Sequence, residues 1–129
     1  MEAAAVPKPI NVVIADDHRL FAEALETIVA ADERFRVVGW ARDGEEAVEL
    51  VERLEPDVVL MDVAMPVMDG IEATKRISES HPEVAVLMLT GSNAKLDVNR
   101  ARTAGAAAYV TKDRIAAELI EAILNARRS

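Results

Sequence analysis

The sequence predicts an α/β domain whose parallel sheet is covered by helices on both faces. Two observations carry that prediction. Short β-branched apolar runs alternate five times with stretches of helical periodicity, and central runs such as Val58 to Met61 and Val84 to Leu89 lack polar alternation. Parallel strands need crossover connections, right-handed crossovers put helices on both faces, and strands buried on both sides read as continuous apolar runs. The chain has 129 residues, enough for one domain and too few for two ordinary ones.

Each element has its own signal. Ile10 to Ala15 is a buried strand that stops abruptly at Asp16-Asp17-His18. Leu20, Phe21, Ala24, Leu25 and Ile28 follow at helical spacing, as the inward face of a first helix. Phe35 to Ala41 is a second strand, interrupted near its end by Gly39. Asp43 with Glu46 three residues on is a capping-box pattern, opening a helix to about Leu54 with Ala47, Val48, Val51 and Leu54 inward. Pro56 stops that helix, and Asp57 to Met61 is a third strand ending at Asp62. The loop Asp62 to Gly70 carries the turn residues Pro66 and Gly70. A third helix, with Ile71, Thr74 and Ile77 inward, ends before His81-Pro82. Val84 to Leu89 is the fourth strand, and Ala94 to Ala104 is a helix with few large apolar residues, stopped by Gly105. Ala107 to Val110 is a short fifth strand, and Ile115, Leu119, Ile120 and Ile123 line a last helix.

Composition removes several function classes. There are no cysteines, so thiolate chemistry, a cysteine zinc site and a disulfide scaffold are excluded, in keeping with a reducing cytoplasm. The longest apolar runs are far short of a membrane span. Residues 1–9 have an acid at position 2 and no extended apolar stretch, so they read as a flexible lead-in and not as a signal peptide. A net charge of −8 argues against this segment gripping DNA directly, because phosphate contacts need clustered Lys and Arg. Arg127 and Arg128 are read as cations at a helix C-terminus.

The polar residues fall in one informative place. The first strand ends in Asp16 and Asp17, the third in Asp62, the fourth in Thr90 and the fifth in Thr111-Lys112. In an open parallel sheet those ends share one edge, where ligands bind. Singly, each residue reads as a helix cap or a solvated turn; three acids, a hydroxyl and a lysine on one edge read as a site. Crowded carboxylates repel unless a cation joins them. Oxygen ligands suit a hard ion such as Mg²⁺. A carboxylate can also accept a phosphoryl group, a transfer that needs positioning and charge neutralisation above all. Which Asp is the nucleophile stays open at this level.

Four motifs carry a family resemblance: Ile14-Ala15-Asp16-Asp17-His18, Asp62-Val63-Ala64-Met65-Pro66-Val67-Met68-Asp69-Gly70, Leu89-Thr90-Gly91 and Tyr109-Val110-Thr111-Lys112-Asp113. With them the chain resembles the receiver domains of bacterial two-component response regulators from about Ile10 to Ala126. The resemblance implies a flavodoxin-like (βα)₅ fold with strand order 2-1-3-4-5 and a domain over residues 10–127. Residues 128–129 then begin a linker to an output domain outside the chain. It implies that Asp62 is the phosphoacceptor, that Asp17 ligates Mg²⁺ (or Mn²⁺) directly and Asp16 through water, and that the Ala64 backbone carbonyl completes the ligand set with Asp62. Lys112 and Thr90 are implied to bind phosphoryl oxygens, with the backbone N–H groups of Ala64 and Gly91. Tyr109 is implied as the switch aromatic that moves with Thr90.

The Asp-Asp-His at the first strand and Lys-Asp after the fifth resemble the regulators with a LuxR- or NarL-type helix-turn-helix output. Ala64 and Ser92 hold the two positions that tune dephosphorylation in the family; both are small and leave the lifetime open. The implied partners are a sensor histidine kinase and the chain's own output domain, with dimerisation left open, no membrane, and a cytoplasmic location. A stand-alone phosphorelay receiver is the alternative. No enzyme activity is expected beyond self-catalysed phosphotransfer and autodephosphorylation.

Three rivals are weighed. A haloacid-dehalogenase-type phosphatase needs a second acid where the chain has Ala64, and a flavodoxin-like electron carrier needs a phosphate loop where Asp16-Asp17-His18 would repel the flavin phosphate. A pseudo-receiver would lack part of the acid, Thr90 and Lys112 set. His18 is read as helping the chain enter the first helix, His81 as a turn residue, Trp40 as a core or partly covered aromatic, and Met61, Met65 and Met68 as packing.

Overall fold

A computed structural model describes residues 8–91 and 95–128. The lead-in up to position 7, Ser92, the expected helix start at Ala94, and Ser129 lie outside the described residues. The apolar runs form five strands: β1 (Ile10–Ala15), β2 (Phe35–Ala41), β3 (Val58–Asp62), β4 (Ala85–Thr90) and β5 (Ala108–Thr111). All pair in parallel, in the order β2-β1-β3-β4-β5. The helices between them are α1 (Arg19–Ala30), α2 (Gly44–Leu54), α3 (Gly70–Ser80), α4 (Lys95–Ala104) and α5 (Ile115–Arg128). The predicted α/β class and strand order are therefore found, with α5 continuing through Arg128.

Alternation along the central strands divides the core into two layers. Val12, Ile14, Val58, Leu60, Leu87 and Leu89 face α1 and α5, where Leu25, Val29, Leu119 and Ile123 meet them. Val13, Ala15, Val59, Met61, Val86 and Met88 face the other way, against Leu50 and Val51 of α2, Ile77 of α3 and Ala101 of α4. Burying a side chain such as Ile14 or Leu60 stabilises the fold by about 1.5–3 kcal/mol. Both layers are anchored to the same strands, so the carboxyl edge of the sheet is held from two sides.

Local corrections have local causes. On α1 the inward residues are Ala22, Leu25 and Val29; Leu20, expected inward, is 82 % exposed, and Ala24 is exposed as well. On α2 Leu50 is buried and Leu54 turns outward, while Glu55 adopts a left-handed conformation (φ 46°) and its N–H reaches the Val51 carbonyl. Asp57 stands just before β3; its carboxylate accepts from the Asn11 N–H at 2.8 Å. In β2 the register steps from Val12↔Val37 to Val13↔Gly39. Val38 is the extra residue of a bulge there, which explains the interruption expected at Gly39. At the end of α4, Gly105 has φ +108° and a Cβ there would strike the Ser78 side chain, so only glycine fits this stop.

Candidate functional site

The acidic pair is placed by the end of β1. Asp16 continues the ladder, its N–H donating to the Ala41 carbonyl at 2.9 Å. Its Oδ1 then accepts the His18 N–H at 2.8 Å, closing a tight turn from strand into helix. Asp16 is only 4 % exposed, whereas Asp17 is open to solvent. His18 is the N-cap of α1 but makes no capping bond with its side chain. Instead its Nδ1 lies 3.3 Å from Asp16 Oδ1 and 3.2 Å from Asp17 Oδ1. Sequence reasoning set His18 aside; its position directly after two acids was the available signal.

Asp62 is the last residue of β3 and 2 % exposed. Its Oδ1 accepts from the Ala64 N–H at 3.4 Å and lies 3.3 Å from Lys112 Nζ. Lys112 follows β5 in a 3₁₀ turn over Lys112–Arg114, and its ammonium sits over the Phe21 ring, 4.6 Å from the centroid. Phe21 was read only as a core residue of α1; it is also the platform under the lysine. Burial pushes the Asp62 carboxyl above its ordinary range and the Asp16 charge adds to that. Lys112 and the Ala64 N–H oppose both without reversing them.

The loop behind Asp62 is tied down at several points. Val63 N–H donates to the Leu89 carbonyl (3.2 Å), Gly70 N–H to the Val63 carbonyl (2.9 Å) and Gly44 N–H to the Met68 carbonyl (2.8 Å). Asp69 caps α3 by accepting from Glu72 N–H at 2.9 Å. A Cβ at Gly70 would collide with the Asp62 backbone carbonyl, so the helix start packs directly on the acceptor strand.

The remaining candidate residues lie on or just after β4 and β5. Thr90, buried, ends β4 opposite Thr111 of β5. Gly91 is exposed, and a Cβ there would meet nothing within 4 Å among the described residues. Tyr109 stands on edge strand β5 and is 41 % exposed.

The acids fit a cation. One ligand atom from each of Asp16, Asp17, His18 and Asp62 lies within 4.8 Å of the others. Among the described residues Asp16 Oδ2 and Asp62 Oδ2 are buried with no hydrogen-bond partner, an arrangement that is costly for carboxylate oxygens unless a positive charge meets them. Oxygen donors of this kind suit Mg²⁺.

The sequence matches the family described as response regulator receiver domain over residues 12–124. The chain belongs to that family. Transcriptional regulatory protein DegU of Brevibacillus brevis is 44 % identical over 114 residues, covering 88 % of this receiver domain and 48 % of DegU. Response regulator GacA of Pseudomonas viridiflava is 40 % identical over 114 residues, covering 88 % and 53 % of the two chains. The chain thus spans about half the length of the curated relatives it matches. Among solved structures, the signal receiver domain of response regulator NarL from Mycobacterium tuberculosis superposes with a TM-score of 0.91 at 32 % identity, over 95 % of this chain and 99 % of that one. The receiver resemblance and its NarL-type flavour are borne out. No helix among the described residues is long and apolar enough to cross a membrane.

Proposed function

We propose that this receiver domain is a phosphorylation-driven switch whose acceptor is Asp62. The observation that carries the reading is a buried carboxylate with Lys112 Nζ 3.3 Å from one oxygen and a second oxygen with no hydrogen-bond partner among the described residues. An Asp62 oxygen forms the new O–P bond as the P–N bond of a kinase phosphohistidine breaks, and the bonding pair leaves with the imidazole nitrogen. Lys112 neutralises charge on the phosphoryl oxygens, and the open space at Gly91 leaves room for the group. Asp16, Asp17 and Asp62, with the Ala64 backbone carbonyl, are the groups that would hold Mg²⁺ or Mn²⁺. Such an ion, when bound, supplies charge neutralisation among the acids and the phosphoryl oxygens.

Phosphorylation adds charge and acceptor oxygens at the carboxyl edge. In this reading Thr90 is drawn to the phosphoryl group and Tyr109, half exposed beforehand, turns inward. The face of α4, β5 and α5 then changes shape. Among its described side chains α4 buries only Ala101 and Ala104 fully, so moving it disturbs little packing. The change passes to an output domain that regulates transcription, of the kind implied by relatives twice this length. Catalysis is limited to the domain's own phosphotransfer and dephosphorylation, in the cytoplasm. The test is incubation with acetyl phosphate and Mg²⁺, read by mass spectrometry. The wild type is expected to gain one phosphoryl group and Asp62→Asn none; a variant that still gains it removes Asp62 from the acceptor role.

A further inference from the structure

A hard-cation site accounts for three carboxylates and leaves His18 over. Its side chain is 67 % exposed, yet Nδ1 stays within 3.3 Å of both neighbouring carboxylates instead of extending into water. The backbone that carries the ring is fixed at both ends. His18 N–H donates to Asp16 Oδ1 and its carbonyl accepts from Ala22 N–H at 2.9 Å. A six-coordinate ion with ligands at 2.0–2.1 Å holds adjacent donors about 3 Å apart, close to the two imidazole–carboxylate separations. A separate observation points to a ligand within the same cluster: the Oδ2 atoms of Asp16 and Asp62 are buried with no hydrogen-bond partner among the described residues.

We propose that His18 Nδ1 is a further side-chain ligand of this site, which lets it take a borderline first-row cation such as Co²⁺, Ni²⁺ or Zn²⁺ as well as Mg²⁺. The inference rests on the reading of the acidic edge as a cation site. Oxygen donors alone suit hard ions, whereas an imidazole nitrogen shifts preference along the divalent series toward the later metals. The competing ion would occupy the same acids, Asp62 included, so its abundance sets how much of the domain is free to hold Mg²⁺.

The experiment uses the untagged chain, whose two histidines are His18 and His81. His81 follows α3 at the opposite edge of the sheet, against Ser80 Oγ, and serves as the control. Co²⁺ and Mg²⁺ are titrated by calorimetry into wild type, His18→Ala and His81→Ala, and ring N–H resonances are followed by NMR with Co²⁺ bound. His18→Ala is expected to weaken Co²⁺ at least about tenfold more than it weakens Mg²⁺, and to abolish a strongly shifted imidazole N–H signal that His81→Ala keeps. Equal weakening of both ions, or a shifted signal that survives in His18→Ala, overturns the assignment while leaving the Mg²⁺ site standing. Absence of Mg²⁺ binding to the wild type sinks the cation site itself, and this inference with it.

Discussion

Lys112 Nζ lies 3.3 Å from Asp62 Oδ1, while Asp62 Oδ2 is buried with no hydrogen-bond partner among the described residues. One lysine therefore serves one oxygen of a carboxylate that also faces Asp16. Burial and the neighbouring acid outweigh it, and the Asp62 carboxyl titrates above its ordinary value. The domain carries a charge that it holds poorly on its own.

That imbalance predicts a pH-dependent gain from Asp62→Asn. The native state keeps the Asp62 proton to higher pH than the unfolded chain, whose carboxyl titrates near 3.8. Below that value both states are protonated and the residue contributes no pH dependence. As pH rises through the higher native value, stability is lost. The advantage of Asp62→Asn should be smallest in acid, grow with pH, and reach roughly 1 kcal/mol near neutrality, the common scale of a single substitution. Urea unfolding across pH measures it. Adding Mg²⁺ should narrow the gap by stabilising only the wild type. A gap that stays flat with pH contradicts the account.

Lys112 is held between the Phe21 ring and Asp62, so its charge is positioned before any ligand arrives. Lys112→Ala should slow phosphorylation by acetyl phosphate on the order of 100-fold, the scale for removing one aimed charge-stabilising donor. Lys112→Arg should restore little, because a longer, planar guanidinium stacked on the Phe21 ring does not place a compact point charge 3.3 Å from Asp62 Oδ1. Rates of phosphoprotein formation by mass spectrometry decide both; an Arg variant near wild-type rate contradicts the positional argument.

The legibility of the sequence follows from which signals are local. Strand ends fell within a residue because continuous runs such as Val58 to Met61 are buried on both faces and bounded by charge. The α1 face was legible in part: Leu25 is buried and Phe21 and Ile28 pack against the core, whereas Leu20 and Ala24 are exposed. Leu20 and Ala24, four residues apart, form a stripe beside the one that Phe21, Leu25 and Ile28 line, and helical spacing alone does not separate the two. Asp16, Asp62 and Lys112 were legible as a group because a parallel sheet gathers strand ends. The roles of His18 and Phe21 were not, because they arise where α1 folds back over that edge, a relation that periodicity does not encode.

The two helices flanking the acceptor loop depend on single caps. Asp43 Oδ1 accepts Glu46 N–H at 2.8 Å, and Asp69 Oδ1 accepts Glu72 N–H at 2.9 Å. Glu46 reaches back to the Arg42 N–H at 2.8 Å, a variant of the expected capping box. Asp43→Ala and Asp69→Ala should each cost about 1 kcal/mol in urea unfolding. The Gly44–Met68 backbone bond joins the two helix starts, so the double variant should depart from additivity by roughly 0.5 kcal/mol or more. Strict additivity would mean that the loop does not couple them.

Val67 offers the last prediction, because its backbone contradicts its side chain. It has φ 67° and is 78 % exposed, and Met68 N–H closes a three-residue turn onto the Pro66 carbonyl at 2.7 Å. A β-branched residue in that conformation loses about 1–2 kcal/mol to the clash of Cβ with the following carbonyl. Glycine escapes the clash but gives up about 0.5–1 kcal/mol of chain entropy, so Val67→Gly should gain on the order of 0.5–1 kcal/mol in urea unfolding. So little of Val67 is covered that lost packing subtracts little. Val67→Ala keeps a Cβ and should gain less than glycine. If alanine matches or exceeds glycine, side-chain branching and not the backbone angle is the source of the penalty, and the turn at Val67 carries no conformational strain.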